Sequence, residues 1–189
     1  TEASQPCWDP KPTCVLEHAK VPFVSYPHEW CPEMLFAAGE LTLDLQLRAL
    51  DANLSLKDAT PLNVLFKGSE PVFVDLLSFA ARPPGQAVWP AYAQFVRTFL
   101  LPLLLHRQQG IPTHDWFLAR RDGIEPEEVY QRLSWLGRLT PSGLRHVSVP
   151  SWLGRLSSAK EAPPARQLGY DEERAQQILG MVIRGLQRS

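Results

Sequence analysis

Asp58, Asn63 and Asp75 lie among short apolar runs in the segment SLKDATPLNVLFKGSEPVFVDLLSF, which runs from Ser55 to Phe79. Asn63 follows Asp58 by five residues, and Asp75 follows Asn63 by twelve. Phosphoryl transfer needs a carboxylate near the attacking hydroxyl and oxygen ligands that hold magnesium on the phosphates. The three side chains are therefore candidates for a metal-and-phosphate site.

Lys57 extends this candidate site, because its ammonium group can neutralise a phosphate next to Asp58. The alternative interpretation is structural. Asn and Asp bond their own backbone at turns and strand ends, and a lysine beside an acid is commonly solvated. Both interpretations of the segment stay open on the residues alone.

The elements around these residues follow from apolar spacing and from glycine and proline. The runs NVLF (63–66) and PVFV (71–74) flank a link that carries Gly68, which predicts a β-hairpin. Leu35, Ala38 and Leu45 recur at helical spacing, which predicts a buried-face helix over residues 33–52. VPFVSY, residues 21–26, is typical of a short strand.

Three further helices are predicted downstream. One covers 92–105 and is kinked at Pro102, and another covers 125–136 and ends at Gly137. The last begins at Asp171, which can cap it. Its continuous apolar stripe indicates either a helix folded onto the core or a connector to a further domain, and consists of Ala175, Ile178, Leu179, Val182, Ile183 and Leu186.

The loop and hairpin together resemble the catalytic lobe of the protein-kinase-like superfamily, nearer its small-molecule, aminoglycoside-type branch. That family places an Asp, an Asn five residues later and a second Asp after a short hairpin, downstream of an apolar helix. The resemblance covers about residues 22–110, with VPFVSYPHEW in the place of the hinge between lobes. It implies a mainly α fold with small β-hairpins (α+β), built like the C-terminal lobe, with the front lobe largely absent.

The same resemblance implies roles for individual residues. Asp58 is the catalytic residue, Asn63 and Asp75 are the metal ligands, and Lys57, Asn63 and Asp75 bind the cofactors, which are magnesium and ATP. Leu56 stands where the family favours His, and Leu77 stands where it favours Gly. No glycine-rich phosphate loop fits before the hinge-like strand. These departures predict weak or absent ATP hydrolysis by this chain alone.

A second resemblance is closer residue by residue and extends over most of residues 20–189. PHEW, LKDATPLNVLF and PVFVDLLSF are similar to a region of large bacterial class I S-adenosylmethionine-dependent methyltransferase proteins, including nodulation-type members. The motif DATPxNVxF is its most specific part. This resemblance implies an accessory region, with S-adenosylmethionine bound only in a domain outside this chain.

Three functions are compatible with these features, and whether the chain is an enzyme stays open. The leading hypothesis is a kinase-like accessory or binding module of a methyltransferase-type protein, with vestigial or conditional nucleotide and magnesium binding. The alternatives are an active small-molecule phosphotransferase that lacks its front lobe, and a non-catalytic assembly domain. The expected partners are a methyltransferase domain or another protein, with a small-molecule substrate as a further candidate.

The domain division follows composition. Residues 1–30 are a proline-rich lead-in with the hinge-like strand, residues 31–170 the kinase-like lobe, and residues 171–189 the amphipathic last helix.

A net charge of −1 argues against nucleic acid as a partner, and no apolar run approaches the roughly 18 residues that span a membrane. Three cysteines, Cys7, Cys14 and Cys31, cannot all pair within the chain and favour a reducing cytoplasm.

Overall fold

The computed structural model describes residues 17–152 and 171–189 of the chain. Its longest element is helix α1, Pro32–Asp51. Pro32 stands in the first turn, where its missing N–H costs no hydrogen bond, and Glu33 adds negative charge at the positive end. The predicted helix over residues 33–52 is confirmed. Its buried face consists of Leu35, Ala38, Gly39, Thr42, Leu43, Gln46, Ala49 and Leu50.

Two small antiparallel pairs of strands follow α1. Strands β2, Val64–Lys67, and β3, Glu70–Phe73, form the predicted hairpin, with Leu65 opposite Val72. Gly68 turns the chain there with a φ of +65°, a conformation that side chains with a Cβ disfavour. Strands β1, Leu54–Leu56, and β4, Phe79–Ala81, pair outside this hairpin, so the two ends of the 55–79 segment lie side by side.

The next helix is continuous but contains a π-helical turn between two α-helical segments. It consists of α2, Tyr92–Phe95, a π-helical turn, Val96–Leu100, and α3, Leu101–Gln109. Pro102 has no N–H to donate to the carbonyl of Thr98, and the helix widens in the turn before it. The predicted helix over 92–105 is present and extends further, with its irregularity in the π turn.

A group of short helices comes next. They are α4, Thr113–Ala119, α5, Pro126–Arg132, α6, Trp135–Leu139, and α7, Pro141–Gly143. A second π turn, Leu144–Ser148, continues as a helix to residue 152.

The prediction of one helix over 125–136 was wrong at its C-terminal end. The hydroxyl of Ser134 accepts a hydrogen bond from the N–H of Gly137 at 3.1 Å and caps a new helix there.

Helix α8, Glu172–Gln187, packs along α1. The predicted Asp171 cap is present, since its carboxylate accepts from the N–H of Arg174 at 2.8 Å. Glu172 forms an ion pair with the buried Arg82, and Gln176 donates to the carbonyl of Leu50 at 3.0 Å. The side chains of α8 that are buried are Ala175, Leu179, Ile183 and Leu186. Within the described residues, the last helix is part of the core.

The predicted strand over residues 21–26 was wrong. These residues have no strand partner in the part of the chain that the structure describes, and a short 3-10 helix, Pro27–Glu29, follows them. Phe23 is 73% exposed and Tyr26 52% exposed, so the apolar side chains that suggested a strand face solvent. Alternation of apolar residues indicates a strand only where a neighbouring strand is available to pair with it.

The described part of the chain is thus mostly helical with two small antiparallel sheets, which confirms the α+β class. No helix within the described ranges has both the length and the apolar character needed to cross a membrane. Cys31 is an exposed free thiol, and Cys7 and Cys14 lie outside the described residues. The domain boundaries at residues 30 and 170 stay predictions.

Candidate functional site

The candidate loop begins where β1 ends, and its first residue still pairs with the strand opposite. The N–H of Lys57 donates to the carbonyl of Ser78 at 2.8 Å, which continues the β1–β4 ladder by one bond. The chain then leaves the sheet and reaches a short 3-10 helix, Pro61–Asn63. The loop of residues 57–60 is therefore anchored to the segment that carries Asp75.

Leu56, which stands in place of the histidine of the kinase-like pattern, is fully buried. Its N–H donates to the side-chain carbonyl of Gln46 at 2.8 Å, and its carbonyl accepts from the indole N–H of Trp89 at 3.0 Å. Gln46 is itself fully buried on α1. The backbone before the loop is thus fixed by two side chains from other elements.

Ala59 fixes the other side of the loop in the same way. Its N–H donates to the side-chain carbonyl of Gln94 at 2.6 Å, and its carbonyl lies 3.3 Å from the hydroxyl of Thr98, which shares its hydrogen with the backbone carbonyl of Gln94 at 2.8 Å. Ala59 is fully buried, whereas Lys57 and Asp58 are exposed. A buried and hydrogen-bonded backbone on both sides therefore presents the ammonium and carboxylate groups to solvent on a rigid support.

Asn63 and Asp75 are brought together by a third residue, Ser78. The amide nitrogen of Asn63 donates to the Ser78 hydroxyl at 3.0 Å, and that hydroxyl donates to Oδ2 of Asp75 at 2.6 Å. Asn63 and Ser78 are buried. The backbone carbonyl of Asn63 also accepts from the N–H of Val74 at 2.9 Å. Two of the predicted site residues therefore lie within one hydrogen-bond chain.

Asp75 also has the turn role that the alternative interpretation expected. Its Oδ1 accepts from the N–H of Leu77 at 3.1 Å and caps a short 3-10 helix, Leu76–Ser78. Leu77 is 83% exposed and lies in this helical turn. Both carboxylate oxygens of Asp75 are thus engaged within its own turn.

Asp58 stands apart from this network. Within the described ranges, no hydrogen bond or ion pair involves the side chain of Asp58 or Lys57. The structure thus joins Asn63 to Asp75 and leaves the other two predicted residues as exposed groups on the adjoining loop.

The donor chemistry of Asn63 and Asp75 fits magnesium that takes most of its ligands from phosphates and water. Magnesium is commonly held by one or two carboxylates together with substrate phosphates, and all its ligands are oxygen. An Asp carboxylate and an Asn amide oxygen match this pattern. No group of three or more His, Cys, Asp or Glu side chains suited to a metal occurs in the described residues, so any cation here depends on such external oxygens.

Sequence reasoning missed the residues that organise this site. Ser78 lies three residues after Asp75, a spacing at which a side chain returns to a capping carboxylate. Gln46 lies among the apolar positions of α1, and a polar residue there signals a buried hydrogen bond. These signals show that a partner is required, but the partners of Gln46 and Gln94 depend on how distant elements pack.

A separate buried network surrounds His146. The ring nitrogen Nδ1 lies 3.1 Å from the hydroxyl of Tyr92, and Nε2 lies 3.3 Å from the hydroxyl of Ser189. Burial, reinforced by the positive charge of Arg145, lowers the pKa of His146 to about 4. Burial also raises the pKa of Tyr92. The imidazole is therefore neutral near pH 7.

This arrangement does not activate Ser189 as a nucleophile. The hydroxyl of Ser189 donates its one hydrogen to the carbonyl of Gly185 at 2.9 Å, so it accepts at Nε2 of His146. Nδ1 then accepts from the Tyr92 hydroxyl. The imidazole donates to the serine and cannot remove its proton, so the network is structural.

Comparison with known proteins shows similarity to a nodulation protein. The chain is 34% identical over 160 residues to the nodulation protein NoeA of Rhizobium meliloti (strain 1021), an alignment covering 85% of this chain and 33% of that protein. The chain thus spans about a third of the length of this curated relative. No family model and no solved structure matches the chain. The expected similarity to nodulation-type proteins is confirmed, while the kinase-like and methyltransferase resemblances stay predictions.

Proposed function

We propose that the chain is a kinase-like accessory module of a longer nodulation-type protein and binds a magnesium-nucleotide conditionally at Asn63 and Asp75. The observation that supports this most directly is the Asn63–Ser78–Asp75 chain of hydrogen bonds. It brings an amide and a carboxylate, twelve residues apart in sequence, to one hydroxyl beside the rigid loop of Asp58. The methyl-transfer machinery, with S-adenosylmethionine, lies outside this chain and is the expected partner.

The binding is conditional because the side chains of Asn63 and Asp75 are already hydrogen-bonded to the Ser78 hydroxyl. Oδ2 of Asp75 accepts from the Ser78 hydroxyl, and we expect a bound cation to displace this hydroxyl. A hydrogen bond to a charged group contributes about 1.5–3 kcal/mol net. Such a cost weakens binding by roughly ten- to a hundredfold without preventing it.

Each exposed group has a defined part in this proposal. A bound magnesium ion would supply positive charge that stabilises the transferring phosphoryl group. Lys57 neutralises part of the phosphate charge, and Asp58 is the carboxylate that accepts a proton from an acceptor hydroxyl. Asp58 has no hydrogen-bond or ion-pair partner in the described part of the chain, so nothing in that part orients it for this step. We therefore expect binding without efficient turnover.

The test is a titration of the chain with magnesium and a non-hydrolysable ATP analogue, followed by thermal unfolding. A ligand that binds only the native state raises the unfolding temperature with concentration. The expected result is a small magnesium-dependent increase that Asp75→Asn abolishes, and a parallel assay with hydrolysable ATP should give no phosphorylated product. Magnesium-dependent phosphorylation of a small molecule that is lost in Asp58→Ala would instead establish an active phosphotransferase.

A non-catalytic assembly domain is the second candidate, and the surface of α6 favours it. Trp135 is 69% exposed, and Leu136 and Leu139 are each 60% exposed. Contiguous exposed apolar side chains commonly mark a protein interface. If magnesium and nucleotide leave thermal stability unchanged while Trp135→Lys weakens association with the rest of the protein, this second function replaces the first.

A further inference from the structure

A cavity of about 440 Å³ lies away from the kinase-like loop, between α1, the helix of residues 92–109 and the end of α8. Its walls are mainly apolar and include Phe36, Leu43, Phe99, Leu103 and Leu186. Small-molecule sites in proteins are concave, mostly apolar and usually about 300–1,000 Å³. The size and lining of this cavity therefore match a site for one small ligand.

The π turn shapes the floor of this cavity. A π turn contains more residues than an α turn, so side chains four apart come more nearly into line. Phe95 and Phe99 stack with ring centroids 4.9 Å apart and planes at 27°, and both line the cavity. Gly39 of α1 faces them, where an added Cβ would lie 3.3 Å from the Phe99 ring. π turns inside α-helices frequently occur at functional sites.

The wall that α8 contributes is held in place by hydrogen bonds. Gln187 donates to Asp44 of α1 at 2.7 Å, and the carbonyl of Ser189 accepts from the Ser142 hydroxyl at 2.8 Å. Ser189 also bonds to the buried His146. Because these bonds fix the end of the helix, the cavity is preformed and a ligand need not order its walls.

The charged groups that line the cavity differ in how far they are already engaged. A backbone hydrogen bond is the main cause that lowers the pKa of Glu33, so this carboxylate is satisfied within its own helix. Burial raises the pKa of the half-buried Glu40, with Asp44 as a second cause. Arg107 and Arg188 are exposed and have no ion-pair partner among the described residues. Arg107 and Arg188 thus place two positive charges without an ion-pair partner at this cavity, alongside the carboxylates of Glu33 and Glu40.

We propose that this cavity binds a small amphiphile, with its apolar chain against Phe95, Phe99 and Leu103 and its anionic head group at Arg107 and Arg188. A guanidinium group recognises a carboxylate through paired, charge-assisted hydrogen bonds. Burial of the chain supplies affinity through the hydrophobic effect. This site is independent of Asn63 and Asp75, and either proposal stands or fails without the other.

Calorimetric titration with decanoate, decylamine and decanol, each below its micelle concentration, tests the proposal. We expect saturable binding of one decanoate per chain, with decanol at least fivefold weaker and decylamine weaker still. Leu103→Trp places an indole in the cavity and should weaken decanoate at least tenfold. Leu47→Trp, a half-buried leucine outside the lining, should leave decanoate binding unchanged.

A second variant keeps the test independent of core packing. In Arg107→Gln combined with Arg188→Gln, both exposed positions, decanoate should bind at least fivefold more weakly while decanol binding stays the same. Absence of saturable decanoate binding by the native chain would overturn the proposal. So would equal binding of decylamine and decanoate, or decanoate binding unaffected by the double variant.

Discussion

At the scale of single residues, Ser78 decides how the candidate metal ligands behave. It is buried, accepts from Asn63 and donates to Asp75. A carboxylate that accepts hydrogen bonds at both oxygens is held in one orientation within its own turn. The same residues therefore serve the 3-10 turn in the free protein, and in the proposed function they would supply the oxygens for a cation.

Ser78→Ala separates these two roles. The variant loses both hydrogen bonds and leaves the Asn63 amide buried without this partner, so we expect a loss of about 1–3 kcal/mol in the free energy of unfolding. Because Oδ2 of Asp75 has then lost its hydrogen bond from Ser78, magnesium with a non-hydrolysable ATP analogue should raise the unfolding temperature more than in the native chain. Ser69→Ala, at the exposed hairpin turn, is the matched control and should change neither quantity.

His146 gives the protein a defined dependence of stability on pH. Its pKa in the folded state is about 4, below the value of 6.5 for a free histidine. Between these values the unfolded chain binds more protons than the folded chain, so this contribution is present above pH 6.5 and is lost as pH falls toward 4. The full effect is about 3 kcal/mol.

Denaturant unfolding at pH 7, 5.5 and 4.5 measures this effect. The free energy of unfolding should fall steadily over that range, and the slope should be smaller in His146→Gln. His28→Gln, at an exposed position, should keep the native slope. An unchanged slope in His146→Gln would show that other groups cause the acid sensitivity.

At the scale of elements, the regular pattern of apolar residues predicted α1, the β2–β3 hairpin and α8. Each has a strong local signal, such as Pro32 at a helix start, Gly68 in a turn or Asp171 as a cap. The strand expected at residues 21–26 depended on a partner strand, which only tertiary packing could supply. The helix expected at 125–136 missed a local signal, because Ser134 is a favourable N-cap and begins a new helix.

Helix α8 allows a direct test of whether the last element belongs to the core or only connects to another domain. Its four buried apolar side chains, Ala175, Leu179, Ile183 and Leu186, pack within the described core. Burial of a large apolar side chain contributes about 1.5–3 kcal/mol. A chain shortened to residues 1–170 loses the summed contribution of these side chains to the free energy of unfolding. That sum is comparable to the total stability of a typical domain, about 5–15 kcal/mol.

We therefore expect the shortened chain to lose its cooperative thermal transition, as followed by circular dichroism. Two point variants on α8 provide a milder form of the same test. Leu179→Ala, at a fully buried position, should cost about 2–5 kcal/mol, whereas Met181→Ala, which is 61% exposed, should cost little. An unchanged transition in the shortened chain would show that α8 is only a connector.

At the scale of the whole molecule, the candidate site is assembled from elements that are distant in sequence. Its residues in the 55–79 segment could be named from spacing alone, because Asp58, Asn63 and Asp75 lie in one continuous stretch. The supports could not be named, because Gln46 comes from α1 and Gln94 and Thr98 come from the helix at 92–109. Their contacts with the loop exist only once these helices have packed.

The most direct test of the account is a structure of the chain in the presence of magnesium and a non-hydrolysable ATP analogue. We predict that Asn63 and Asp75 both coordinate the cation and that the Ser78 hydroxyl no longer bonds to Asp75. A structure in which the Asn63–Ser78–Asp75 hydrogen bonds persist at saturating magnesium and nucleotide would contradict the account.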